Sequence, residues 1–273
     1  MNKWHVLGAG ALGQWLHRHL SPELQGQLIG RTTPYPRIDQ ALICVKAYDL
    51  PSLALSLAPH LHSDSLCLVV ANGKGFESFL QYLAGQIGLV ISTAAAWRDS
   101  QGISQGVTLG QGLVGSIQGK LEPQRLAPLL PLLNWQLSEP IEQQQWQKLA
   151  LNACINPLTL VHGCRNGQLL EQHLAQLQAL CAELEPLVSH LKLPLAGALA
   201  TQVQALCQAT ANNHSSSLQD FLAKRPTELG FILPPWLELA ARLGIHCPTL
   251  AQLWQQVEPY SPLPSSQFPS SAC

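Results

Sequence analysis

Gly8-Ala9-Gly10-Ala11-Leu12-Gly13 spells G-x-G-x-x-G, directly after the apolar run Trp4 to Leu7 and directly before Leu12, Trp15, Leu16 and Leu20 at helical spacing. Strand, glycine loop and helix in that order constrain the fold more than any other feature of the chain. Gly8 permits a tight turn, Gly10 lets the backbone approach a pyrophosphate, and Gly13 lets helix and strand pack closely. The first turn of the helix then offers unpaired N–H groups and a positive dipole end to phosphate. The competing reading is an ordinary glycine-rich turn, and the flanking strand and helix argue against it.

The segments that follow alternate in the same way. Gln27 to Ile29, Ala41 to Val45, Leu66 to Ala71 and Leu89 to Thr93 read as strands. Leu50 to His60, with Pro51 in its first turn, and Phe76 to Ala84 read as helices. The strands are near-continuous apolar runs, the pattern of a parallel sheet buried on both faces. Together they predict an α/β domain with a doubly wound sheet. Glycines at 102, 106, 110, 112 and 115, with Val107, Leu109, Leu113 and Val114 between them, predict short antiparallel strands closing it.

Leu137-Ser138-Glu139-Pro140 marks the expected boundary, so residues 1–139 form the Rossmann-type domain and 140–273 an all-helical one. Ile141 to Asn156, Gln168 to Leu191, Leu195 to Ala211 and Pro235 to Leu243 are the expected helices, Pro157 ending or kinking the first. The Ser- and Pro-rich stretch 261–273 reads as a poorly ordered tail.

Lys+Arg number 15 and Asp+Glu 16, so no basic surface for nucleic acid is expected. The start of the chain lacks the pattern of a secretory signal, and the uncharged stretch Ser78 to Trp97 is interrupted by polar residues and glycines, so no membrane span is expected. The 8 cysteines form no C-x-x-C pair and read as thiols of a cytoplasmic protein. The 10 histidines show no metal-ligand spacing.

The residues after the second strand bear on cofactor choice. An NAD site usually has Asp or Glu about 20 residues beyond the glycines, bonded to the ribose 2′-OH. Here the chain reads Gly30-Arg31-Thr32-Thr33, with no acid before Asp39. Arg31 can pair with a 2′-phosphate, which favours NADP(H), with a solvated loop arginine as the alternative. Lys46, Asn72 and Thr93 end the third, fourth and fifth strands, where ligands of open α/β sheets bind. In the helical half, Lys148, Asn152 and Asn156 lie at i, i+4 and i+8 and make one polar stripe. Taken alone, that stripe reads equally well as a solvated edge.

Lys148-Leu149-Ala150-Leu151-Asn152-Ala153-Cys154-Ile155-Asn156-Pro157, then Asn166-Gly167, resembles the central motif of the ketopantoate reductase family. The glycine loop, Val45-Lys46-Ala47, Asn72-Gly73, the stretch Asn213 to Asp220, Thr227-Glu228 and Gly244-Ile245 with Pro248 are similar to that family as well. The resemblance implies NADPH-dependent reduction of 2-dehydropantoate (ketopantoate) to pantoate, on the route to pantothenate and coenzyme A, by a monomer or homodimer acting on a small keto acid. It implies that Lys148 donates a proton to the ketone oxygen and that Asn152, Asn156, Asn166 and Ser216 hold substrate oxygens. Asn72 and Glu228 would lie where nicotinamide, ribose and substrate meet. Gly8, Ala9, Gly10, Ala11, Leu12, Gly13, Arg31, Lys46 and Ala96 would contact the cofactor, NADPH or NADP+. The chain departs from the pattern after Glu228, where an Asp and later Asn-Gly are usual but Gly230 and Leu233-Pro234-Pro235 stand, and at Ser217, where Met is common. Those departures leave room for a reductase of another keto acid. A non-catalytic NADP(H) sensor is the further alternative, and the joint presence of Lys148, Asn152, Ser216 and Glu228 argues against it.

Overall fold

The computed structural model describes residues 3–98, 101 and 104–262. The chain divides into two units, Met1–Asn72 with Phe76–Gln144, and Gly73–Gly75 with Gln145–Cys273.

The first unit is built on a seven-stranded sheet. In chain order its elements are β1 (Trp4–Leu7), α1 (Ala11–His19), β2 (Gln25–Ile29), β3 (Gln40–Ile43), α2 (Leu50–Leu57), β4 (Leu66–Val69), α3 (Glu77–Leu80), β5 (Gln86–Ser92), β6 (Ala95–Arg98), β7 (Ser104–Thr108), β8 (Gly112–Gln118), α4 (Pro123–Leu126) and β9 (Trp135–Leu137). The sheet order is β2-β1-β3-β4-β5-β8-β9, and β6 pairs with β7 in a separate two-stranded sheet. Strands β1 to β5 are mutually parallel. Every residue of β3 and β4 is buried, and apart from Gln40 at the start of β3 all are apolar. The connection after β1 leads to one side of it and the connection after β2 to the other. A crevice therefore opens beyond the carboxyl ends of β1 and β3, where Gly8 and Lys46 follow their strands.

The glycine-rich region does form antiparallel strands, β7 against β6 and β8 against β5. The three-residue β9, paired parallel to β8, has no counterpart in the sequence reading. The expected helix Leu50 to His60 stops at Leu57 and tightens into a 3₁₀ turn over Ala58–His60, because Pro59 has no N–H to continue the ladder. The expected helix Phe76 to Ala84 is reduced to the single turn of α3.

The second unit is helical: α5 (Ile141–His162, from Gln145 onward), α6 (Gln168–Gln172), α7 (Leu174–His190), α8 (Leu199–Ala209), α9 (Ser216–Leu222), α10 (Pro234–Leu243) and α11 (Pro248–Val257). Leu149, Ala153 and Leu158 of α5 join Leu180, Leu184, Val203, Trp236 and Leu250 in one buried core.

Pro157 does not end α5, which runs on to His162. A proline inside a helix costs about 3 kcal/mol. Burying Leu158 and Leu160 beyond it returns roughly 1.5–3 kcal/mol each, enough to offset that cost. The expected helix Gln168 to Leu191 is broken at His173, whose backbone leaves the helical region and whose ring stacks on His162 at 3.6 Å. Helix α8 starts at Leu199, not at Leu195, since Gly197 with φ +98° interrupts the turn before it. Ser261, expected to open a disordered tail, is buried, and its hydroxyl lies 2.6 Å from that of Thr227. The rest of that tail, residues 263–273, lies outside the described residues.

Candidate active site

The glycine loop has the shape its spacing demands. Gly8 has φ +112°, and a Cβ there would sit 2.4 Å from the Cys44 carbonyl oxygen. A Cβ on Gly13 would sit 1.9 Å from the Gly8 carbonyl oxygen. Those two glycines are required by packing within the protein. Gly10 is different, because a Cβ there would meet nothing within 4 Å. Its lack of a side chain leaves open space over the N-terminus of α1. That end has no side-chain cap and no acidic residue in its first turn. Its N–H groups suit an anion, so the residues fit the pyrophosphate of a dinucleotide.

Arg31 follows β2 and is highly exposed, at 86%. One terminal nitrogen of its guanidinium donates to both carboxylate oxygens of Asp49, at 3.1 and 3.0 Å. The Thr33 hydroxyl accepts the Gly30 N–H within the same turn at 3.3 Å. Lys46 caps the 3₁₀ turn Ala47–Asp49, and its carbonyl accepts the Asp49 N–H. Asn72 and Ala96 are half-buried. Thr93 is exposed and bonded to Gln111, which occupies its hydroxyl.

In the second unit α5 carries the polar stripe, and the stripe is not a solvated edge. Asn156 is buried, and Lys148 and Asn152 are half-buried. Burial draws the Lys148 ammonium down to about 8, and the facing Glu228 carboxylate opposes that fall. Glu228 is itself buried. It stands at the head of a 3₁₀ turn, Leu229–Phe231, and its carbonyl accepts the Phe231 N–H at 2.9 Å. Thr227 fixes the chain just before it, its N–H bonded to the Tyr260 carbonyl at 2.8 Å.

Asn156 reaches Ser216 through its Nδ2, 3.5 Å from the hydroxyl. Two residues not anticipated from sequence fasten this pair. The Thr159 hydroxyl lies 3.0 Å from the Asn156 carbonyl and 2.6 Å from Ser215 Oγ. Ser215 caps α9, accepting the Leu218 N–H at 3.2 Å. The signal for them was local: Thr159 follows Asn156 by three residues, and Ser215 opens a helix. Asn166 is held elsewhere. Its Nδ2 donates to Thr210 Oγ1 at 2.9 Å and its backbone N–H to the Asn213 carbonyl, while its buried Oδ1 accepts no bond among the described residues. The segment after Glu228 is apolar and buried through Leu229, Phe231, Ile232 and Leu233.

A glycine-loop α/β unit and a helical unit that sets a half-buried lysine against a buried carboxylate define a dinucleotide-dependent oxidoreductase. Residues 140–261 match the family described as "Ketopantoate reductase PanE/ApbA C terminal". The chain is similar to 2-dehydropantoate 2-reductase of Shigella flexneri, 31% identical, over 81% of this chain and 73% of that one. It is 29% identical to the enzyme of that name from Yersinia pestis, over 93% of each chain. Its fold is similar to the crystal structure of a PanE/ApbA family ketopantoate reductase from Ralstonia eutropha, with a TM-score of 0.81 at 20% identity, over 95% of this chain and 98% of that one. The chain belongs to the ketopantoate reductase family. Among the described residues no helix is long and apolar enough to cross a membrane.

Proposed function

We propose that the protein reduces 2-dehydropantoate to pantoate with NADPH, residues 1–139 binding the dinucleotide and 140–273 supplying the substrate and proton-donor groups. The observation that carries this reading is a lysine, Lys148, drawn down by burial and held up by the charge of the buried Glu228, inside the segment that matches the family. A bound NADPH supplies the hydride. Charge then develops on the ketone oxygen, and Lys148 Nζ stabilises it and delivers the proton. Glu228 keeps the lysine protonated against its desolvation. Asn152, Asn156 and Ser216 offer neutral donors that orient the hydroxyl and carboxylate oxygens without cancelling the lysine charge. Asn72 serves the nicotinamide ribose and substrate, and Asn166 serves the substrate through its unpartnered Oδ1. Gly8 to Gly13 with Lys46 and Ala96 line the dinucleotide, and Arg31 turns from Asp49 to the 2′-phosphate. A reducing cytoplasm suits the thiols.

A second reading has a specific observation behind it. The buried run Leu229 to Leu233 stands where the family usually carries an Asp and later Asn-Gly, and that departure beside Glu228 leaves room for a reductase of another keto acid. The loss of reduced-nicotinamide absorbance with a panel of 2-keto acids decides between them. The proposal requires ketopantoate to give the highest kcat/KM; no turnover of any keto acid would leave only a binding protein.

A further inference from the structure

Gln145 is a buried amide on α5, one turn before Lys148. Its side chain reaches one short segment with both ends. Nε2 donates to the Gly73 carbonyl at 2.9 Å, and Oε1 lies 3.4 Å from the Lys74 ammonium. That ammonium also sits 5.3 Å over the ring of Trp146, the next residue of α5. From its other side the segment is pinned to the turn that carries Glu228: the Lys74 N–H donates to the Phe231 carbonyl at 2.8 Å. Gly73, with φ +96°, lies so close to Phe231 that a Cβ would come within 2.5 Å of the Phe231 Cβ and 2.7 Å of its carbonyl oxygen. A continuous path therefore runs from α5 through Gln145, Gly73 and Lys74 to Phe231, whose N–H closes on the Glu228 carbonyl. Its two ends are the helix that holds Lys148 and the turn that holds Glu228.

We propose that Gln145 is a positioning residue, which through the strap Gly73–Lys74 sets the approach of Glu228 to Lys148. This rests on the catalytic reading of Lys148, whereas the strap itself stands on geometry alone. Gln145 donates to the Gly73 carbonyl in a buried place, and a buried acceptor that loses its donor shifts toward other donors or water. Once the strap moves, Phe231 and with it Glu228 move relative to α5. Among the described contacts, the charged groups at this junction are Glu228, which acts on Lys148, and Lys74, which lies against Gln145 and Trp146.

Gln145→Met removes the side-chain bonds to Gly73 and Lys74 at nearly constant volume, and Gly73→Ala displaces the same strap from its Phe231 side. The ionisation of Lys148 is read directly in the full chain, without turnover, from the pH dependence of its acylation by acetic anhydride, resolved by mass spectrometry. Because Glu228 holds Lys148 protonated, a loosened strap should lower the Lys148 midpoint by about half a unit or more in both variants, and kcat should fall at least fivefold with the alkaline limb of its pH profile moving the same way. A midpoint unchanged in both folded variants overturns the proposal, as does a fall in kcat with no movement of either profile, which marks Gln145 as merely structural. A shifted midpoint in a chain that reduces no keto acid would retain the strap and discard the reductase reading.

Discussion

Raising the pH tests the role of Lys148 most directly. A solvated lysine titrates near 10.4, so at pH 9 about 96% of it carries the proton. Burial places Lys148 at about 8, which leaves about one-tenth protonated at pH 9. If the protonated lysine is the acid, kcat/KM should fall about tenfold from its plateau near pH 6.5 to pH 9. A solvated donor would lose only a few per cent. With cofactor saturating, the limb of kcat/KM for the keto acid reports the protein–cofactor complex before the keto acid binds. The sign of the Glu228 contribution gives a second arm. Glu228 raises the lysine, so Glu228→Gln should move the limb to lower pH. Lys148→Ala should lower kcat by roughly 10²–10⁴, the scale of a lost general acid, and abolish the limb. The assay is initial-rate loss of reduced-nicotinamide absorbance at saturating cofactor from pH 6 to 10. A flat profile through pH 9, or an unchanged limb in Lys148→Ala, refutes the reasoning.

Three further outcomes are expected. Arg31→Ala should weaken NADPH by no more than about tenfold and NADH little, because a charge-assisted bond of roughly 1.5–3 kcal/mol is reduced here by exposure and by competition from Asp49; calorimetric titration with both cofactors measures it, and equal affinity of the unmodified protein for the two would remove the 2′-phosphate contact. Gly10→Ala should cost at most about 1 kcal/mol of stability, since its Cβ meets nothing, yet raise the dinucleotide Kd at least tenfold; thermal melts with and without cofactor separate the two. Gly13→Ala should instead destabilise the fold itself by about 1–3 kcal/mol through its clash with Gly8, seen in the apo melt.

The parallel sheet was legible because β3 and β4 are buried on both faces, and a doubly buried strand can hardly be spelled except as an apolar run. The glycine loop was legible because Gly8 and Gly13 are required by local packing. The polar stripe of α5 showed in the spacing of Lys148, Asn152 and Asn156, but whether it faced solvent did not. That depends on Glu228 and Ser216, far along the chain. The expected end of α5 at Asn156 was overturned for the same reason, since local propensity disfavours a run through Pro157 and the burial of Leu158 and Leu160 reverses the balance. Strand β9 and the Gln145–Gly73 bond rest on pairings distant in sequence, and no local periodicity announces them.

The seven described cysteines are all buried, Cys44 and Cys67 in the first unit and Cys154, Cys164, Cys181, Cys207 and Cys247 in the second. Burial pushes the thiols of Cys44 and Cys67 up to about 12, so the reactive thiolate is scarce as well as sheltered. A water-soluble alkylating reagent can reach them only when the surrounding structure opens, and its rate becomes the intrinsic rate multiplied by the opening equilibrium. Each unit thus contains its own clock for local unfolding, written in native residues. Cys44 also lies beneath the turn at Gly8, so its clock keeps the time of the very loop that cradles phosphate.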